Sequence, residues 1–211
     1  MAVAPALLTG VLLVAHNLVV DRLPRWAYVP ACLATTATLL VVAGVPDVGP
    51  SMEALVVGCA MAVVAVGAVG LAAHLSVTRR LFHDQRLTGS VAYLAFVRIP
   101  LGTVVLEEVA FRGVLLAGLG LVPASLLFGL WQVVPTHLAL NLNGVAAAPR
   151  ARVGALAAAV AASALAGAGL CWLRLATGSL LAPAIVHAAT TSSATVLAYW
   201  VTRPARSRPP G

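Results

Sequence analysis

The chain has 211 residues, 61% of them hydrophobic and only 9% charged, with a mean hydropathy of +1.01. A soluble domain of this length needs far more polar surface, so the composition describes one polytopic membrane domain. The net charge of +7 is carried by arginine without any lysine, and the arginines flank apolar runs instead of clustering on a soluble face, which excludes nucleic acid as a partner.

The apolar runs predict an all-α transmembrane bundle of about seven or eight helices, starting with segments at 3–20, 27–45 and 54–77. The first has no basic stretch ahead of it and no small-residue cleavage site leading into a soluble domain. It reads as a retained helix, not a cleaved signal peptide. Residues 1–90 then form an N-terminal group of helices. The fourth run, 91–118, is long for one crossing. Pro100 disfavours helix at Ile99, so an interfacial piece at 91–99 followed by a spanning helix from 101 is an equal alternative. Segments at 121–140, 153–173 and 180–201 complete a core over 91–201, followed by a basic tail, 202–211, expected to be disordered near anionic headgroups. The sixth segment is rich in Ala and Gly and reads as a packing helix inside the bundle. Cys32, Cys59 and Cys171 have no paired spacing, so they read as small buried apolar residues and not as a disulfide or thiolate site.

The loops carry an orientation signal. Arg22, Arg25, Arg79, Arg80, Arg86, Arg150, Arg152, Arg203, Arg206 and Arg208 fall on one side, and Arg174 alone on the other. The positive-inside rule then puts the N-terminus outside and the C-terminus in the cytoplasm, in the cell membrane, with lipids as the immediate partners.

Within the fourth segment lies Glu107-Glu108-Val109-Ala110-Phe111-Arg112, with Arg98 a few turns before it. Ionisable groups at the centre of a spanning helix cost about 2.5–3.5 kcal/mol each on insertion scales, so they mark a functional site by default. Glu108 and Arg112 are four apart and share a helix face, where they can pair. Glu107 is turned about 100° from Glu108 and is left to act as a base on water. A purely structural Glu–Arg lock between helices would leave the second glutamate without a purpose.

Two further segments carry polar groups. Phe128 and Gln132 are one turn apart. His137 is rotated about 140° beyond Gln132 on an unkinked helix, unless Pro135 redirects it. Taken alone, His137 reads as a polar group near the interface. His187 lies inside the last apolar run, with Thr191 one turn later to hold a water or hydrogen-bond the ring. His16, His74 and His83 read as ordinary interface residues.

These three segments in this order resemble the CPBP intramembrane proteases, which include the type II CAAX prenyl endopeptidases and bacterial bacteriocin-processing or immunity proteins. The family pattern is Glu-Glu-x-x-x-Arg, then Phe-x-x-x-His, then His-x-x-x-Asn, each on its own helix. Glu107, Glu108 and Arg112 complete the first motif. Phe128 fits the second, with Gln132 at its histidine position. His187 fits the third, with Thr191 in place of Asn. The resemblance covers roughly 91–201 and implies an intramembrane endopeptidase acting on a peptide or membrane protein. It implies a water surrounded by the first glutamate and two histidines, with or without a divalent metal such as zinc. Glu107 would be the base, His187 a ligand of the water or, with Glu107, of the metal, and Glu108–Arg112 the structural pair.

Gln132 departs from that pattern. An amide is a poor zinc ligand and shuttles no proton. Either His137 supplies the missing imidazole, or the chain is a catalytically inactive immunity or regulatory protein of the same fold. A third class, a small proton-coupled transporter, would use the same Glu, Arg and His set as a proton relay, although the sequence has no clear inverted repeat or paired broken helices.

Overall fold

The structure is a computed structural model and describes residues 3–20, 22–44, 49–75, 89–143 and 148–202. In hydrocarbon a backbone must satisfy its own hydrogen bonds, and helices do so locally. The described elements are all helices: α1 Val3–Val20, α2 Tyr28–Ala43 after a short 3-10 turn at Arg25–Ala27, α3 Met52–His74, α4 at 91–119, α5 at 121–143, α6 Pro149–Thr177 and α7 Leu181–Thr202. Five stretches, Arg25–Ala43, Met52–His74, Leu121–Asn141, Pro149–Thr177 and Leu181–Val201, are long and apolar enough to cross a membrane, and Ala4–Val20 is a shorter apolar helix. The protein is an integral membrane protein.

α4 is the axis of the fold. Between Leu106 and Leu116 every residue except Val109 is buried. Of the two alternatives for this segment, the division near Pro100 does not occur. Pro100 sits inside a π-helical stretch, Leu94–Val104, and the chain runs on without a break. The wider i→i+5 pattern lets the backbone pass a residue that has no N–H to donate. A second π-helical stretch, Glu108–Leu115, begins in the middle of the charged motif.

Gly120, at φ +84°, ends α4 and turns the chain directly into α5. α5 is interrupted at Gln132, between Leu121–Trp131 and Val133–Asn143. Pro135 is the cause: it has no N–H for the Trp131 carbonyl four residues back, and its ring crowds that carbonyl.

α7 packs along α3 and along the N-terminal half of α4, α6 along the first half of α5, and α1 along α2. The α5–α6 contact is close because Gly129 has no side chain; a Cβ there would lie 2.6 Å from the Val160 carbonyl oxygen. α6 is nevertheless peripheral, not interior as its composition suggested. Its buried residues are Gly167, Leu170, Cys171 and Leu173, all in its C-terminal half, while Leu165 and Trp172 face outward. Small residues serve one close contact with α5, and among the described residues no helix covers the opposite face. Cys32 and Cys171 are buried free thiols as expected, but Cys59 is exposed on α3. The loop residues Asp47, Arg79, Arg80, His83 and Arg86, and the tail from Arg203 onward, lie outside the described residues.

Candidate active site

Glu107, Glu108 and Arg112 are 4%, 2% and 1% exposed, so each charge must be met inside the bundle. Arg112 is met by charge and by a ring. Its Nη1 lies 3.1 Å from Glu108 Oε1, and its guanidinium carbon lies 4.1 Å from the centre of the Phe128 ring. Among the described residues its nitrogens have no hydrogen-bond partner of good geometry, so the pair is an ionic contact and not a bidentate fork.

His187 reaches Glu108 from α7. Its Nδ1 lies 2.7 Å from Glu108 Oε1. A carboxylate paired with an arginine only accepts, so Nδ1–H donates and Nε2 is left with its lone pair, a tautomer assigned from this bond. Nε2 faces Glu107 Oε2 at 3.5 Å. The other Glu107 oxygen accepts a 2.7 Å hydrogen bond from Trp131 Nε1–H. Glu107 Oε2 itself is buried with no hydrogen-bond partner among the described residues. Two proton acceptors thus face one another across a gap too long for a direct bond. A water seated on the cavity side of this gap, off the line between the two atoms, can donate one O–H to each.

The pocket is walled by aromatics. Phe128 stands edge-on to His187 (5.8 Å, 87°) and to Phe111 (5.1 Å, 77°). It opens into a cavity of about 620 Å³ whose lining includes Glu107, His187, Gln132, Thr191, His16 and Arg98. That volume suits a small ligand or a few residues of peptide.

The fold therefore brings together Glu107, Glu108, Arg112 and His187, with Gln132 and Thr191 on the same cavity. The His187 ring is held by Glu108 and not by Thr191. His137 is not part of the site. It is exposed on the second half of α5, where Arg152 Nη2 lies 3.1 and 3.3 Å from its ring nitrogens and donates to Asn141 Oδ1 at 2.5 Å. The interruption at Gln132 places His137 on the outside, so it does not supply the imidazole that Gln132 lacks.

Two residues escaped the sequence reading. Trp131 positions Glu107. Its signal was present: an indole N–H next to Gln132 in an apolar run needs an acceptor. His16 is buried on α1, not an interface residue. Its Nδ1 lies 2.9 Å from Thr35 Oγ1, Cys32 Sγ lies 3.7 Å from its Nε2, and its ring stacks on Trp131 at 6.5 Å. Nothing in the local sequence ties His16 to a residue more than a hundred positions away.

Glu107 and His187 would be the ligands of a divalent ion at this gap. They supply two donors, and no group of three or more His, Cys, Asp or Glu comes together among the described residues. A catalytic zinc takes three protein ligands. The donor set present does not fit such a zinc.

A family model described as Type II CAAX prenyl endopeptidase Rce1-like matches residues 89–193, the stretch containing all these motif positions. No curated protein matches the chain, and no solved structure does.

Proposed function

Since the chain belongs, through residues 89–193, to the type II CAAX prenyl endopeptidase Rce1-like family, we propose that it is an intramembrane endopeptidase in which Glu107 activates a water. The observation that carries this reading is the 3.5 Å gap between Glu107 Oε2 and His187 Nε2, both proton acceptors on one buried cavity. A water seated there gives a proton to Glu107 Oε2 as its oxygen attacks a peptide carbonyl in the cavity. Glu107 then passes that proton to the departing amine, and the C–N bond breaks. His187 Nε2 aims the water. Glu108 holds His187 in the required tautomer, and Arg112 balances Glu108. Trp131 fixes the carboxylate plane. Because the donor set falls short of a catalytic zinc, no step here passes through a metal.

The substrate is a peptide or membrane-protein segment that enters the cavity from the bilayer. The protein sits in the cell membrane with its N-terminus outside and its C-terminus in the cytoplasm, following the arginine distribution.

The test is cleavage of a peptide library by purified protein in liposomes. Glu107→Gln keeps the shape and the Trp131 acceptor but not the base, and lowers the rate by about a hundredfold or more. Unchanged cleavage would rule the mechanism out. A second reading, a catalytically inactive immunity or regulatory protein, is favoured by Gln132 at the second motif and by the outward position of His137. Gln132→His separates the two: cleavage that appears only in this variant would mark the natural chain as non-catalytic.

A further inference from the structure

Arg98 is the second cation of α4, and the motif does not use it. It lines the same cavity as Glu107 and His187. Its guanidinium carbon lies 3.8 Å from the centre of the Tyr28 ring. Tyr28 is itself fixed: its hydroxyl is hydrogen-bonded to Thr103 Oγ1 at 3.1 Å, and Gly102 packs against its edge, where a Cβ would lie 3.1 Å from Cε1. The carboxylates of the site are engaged by Arg112 and by the His187 ring, and among the described residues Arg98 is paired with neither of them. A guanidinium held over an aromatic face still has N–H groups to offer a carboxylate.

We infer that Arg98 binds a carboxylate of the substrate peptide and so sets where the chain is cut, an inference that rests on Glu107 being the base. The carboxylate is either the peptide's C-terminus or an acidic side chain. Arg98 and Glu107 are nine positions apart on one helix. At the α-helical rise this is about 13 Å, an upper figure because π turns are wider and shorter. An extended peptide covers about 3.3 Å per residue, so the cut falls within about five residues of the bound carboxylate.

The experiment uses three apolar decapeptides of one sequence: with a free C-terminus, with a C-terminal amide, and as the amide with one internal Asp. Binding is measured on Glu107→Gln protein in liposomes, where turnover does not intrude. A carboxylate-bearing peptide binds at least about tenfold tighter than the plain amide. Arg98→Gln removes that preference without weakening the amide, and Arg98→Lys, which keeps the charge, retains part of it. Whichever carboxylate carries the preference identifies its source, and product masses from the unsubstituted protein place the cut within about five residues of it. Equal binding of all three peptides, or a preference that survives Arg98→Gln, overturns the inference. So does an Arg98-dependent gain for anionic over zwitterionic vesicles without any peptide preference, which would assign the arginine to lipid phosphate. The two readings fail separately. Cleavage that is lost in Glu107→Gln, with all three peptides bound and cut alike whether or not Arg98 is present, keeps the base and removes the anchor. A carboxylate preference in binding without any cleavage does the reverse.

Discussion

A single 2.7 Å bond from Trp131 Nε1 decides which oxygen of Glu107 is tied and which is left to face His187. Trp131→Phe keeps a ring in place and removes the donor. Hydrogen bonds to charged groups contribute about 1.5–3 kcal/mol, so kcat is expected to fall about 10- to 100-fold with little change in KM, read from initial rates in liposomes. The glutamates and Arg112 were legible in the sequence because charge is so rare in hydrocarbon. The Glu108–Arg112 contact was legible because residues four apart meet on any helix. The bonds that define the chemistry were not: they join residues 24 and 79 positions apart, Trp131 to Glu107 and His187 to Glu108. Side-chain direction across a bundle is a product of packing, and local pattern carries no trace of it.

Helices locate themselves by length and apolarity, and all seven expected spans have a counterpart within a few residues. Departures from regularity within helices follow subtler causes. Pro100 bends the hydrogen-bond pattern of α4 into a π stretch without ending it, whereas Pro135 does interrupt α5, because the chain there has no wider pattern to take up its missing donor. The second π stretch starts at Glu108 and directs Arg112 over Phe128. Gly129 shows how tightly two elements depend on one position. In Gly129→Val the new side chain meets Val160 and Ala164, whose Cβ would lie 2.9 Å from the added one, and the backbone on both sides must move. Overpacking of this kind costs about 1–3 kcal/mol. The unfolding midpoint in detergent is expected to drop in Gly129→Val and to change little in Gly10→Ala, where an added Cβ has nothing within 4 Å.

The assembled bundle turns large apolar side chains such as Leu7, Val41, Val63 and Leu165 outward and the charges of Glu107, Glu108 and Arg112 inward, the inverse of a soluble protein. The orientation proposed above rests on the arginine counts, since each Arg held on the outer side of the membrane during insertion carries a penalty that the opposite orientation avoids. A reporter fused after Gly211 that is active only in the cytoplasm is expected to be active, and its counterpart that works only outside is expected to be silent. The reverse pattern would invert the orientation. The sequence by itself determined that the protein is an all-α membrane bundle and that its rare buried charges gather on one helix, with His187 on another, because hydrocarbon permits few backbones and few charges. Only the tertiary structure decided that Trp131 holds one oxygen of Glu107 while His187 faces the other, that His137 faces away, and that His16 and Arg98 share the cavity. Those outcomes depend on how helices far apart in the chain rotate and pack against α4.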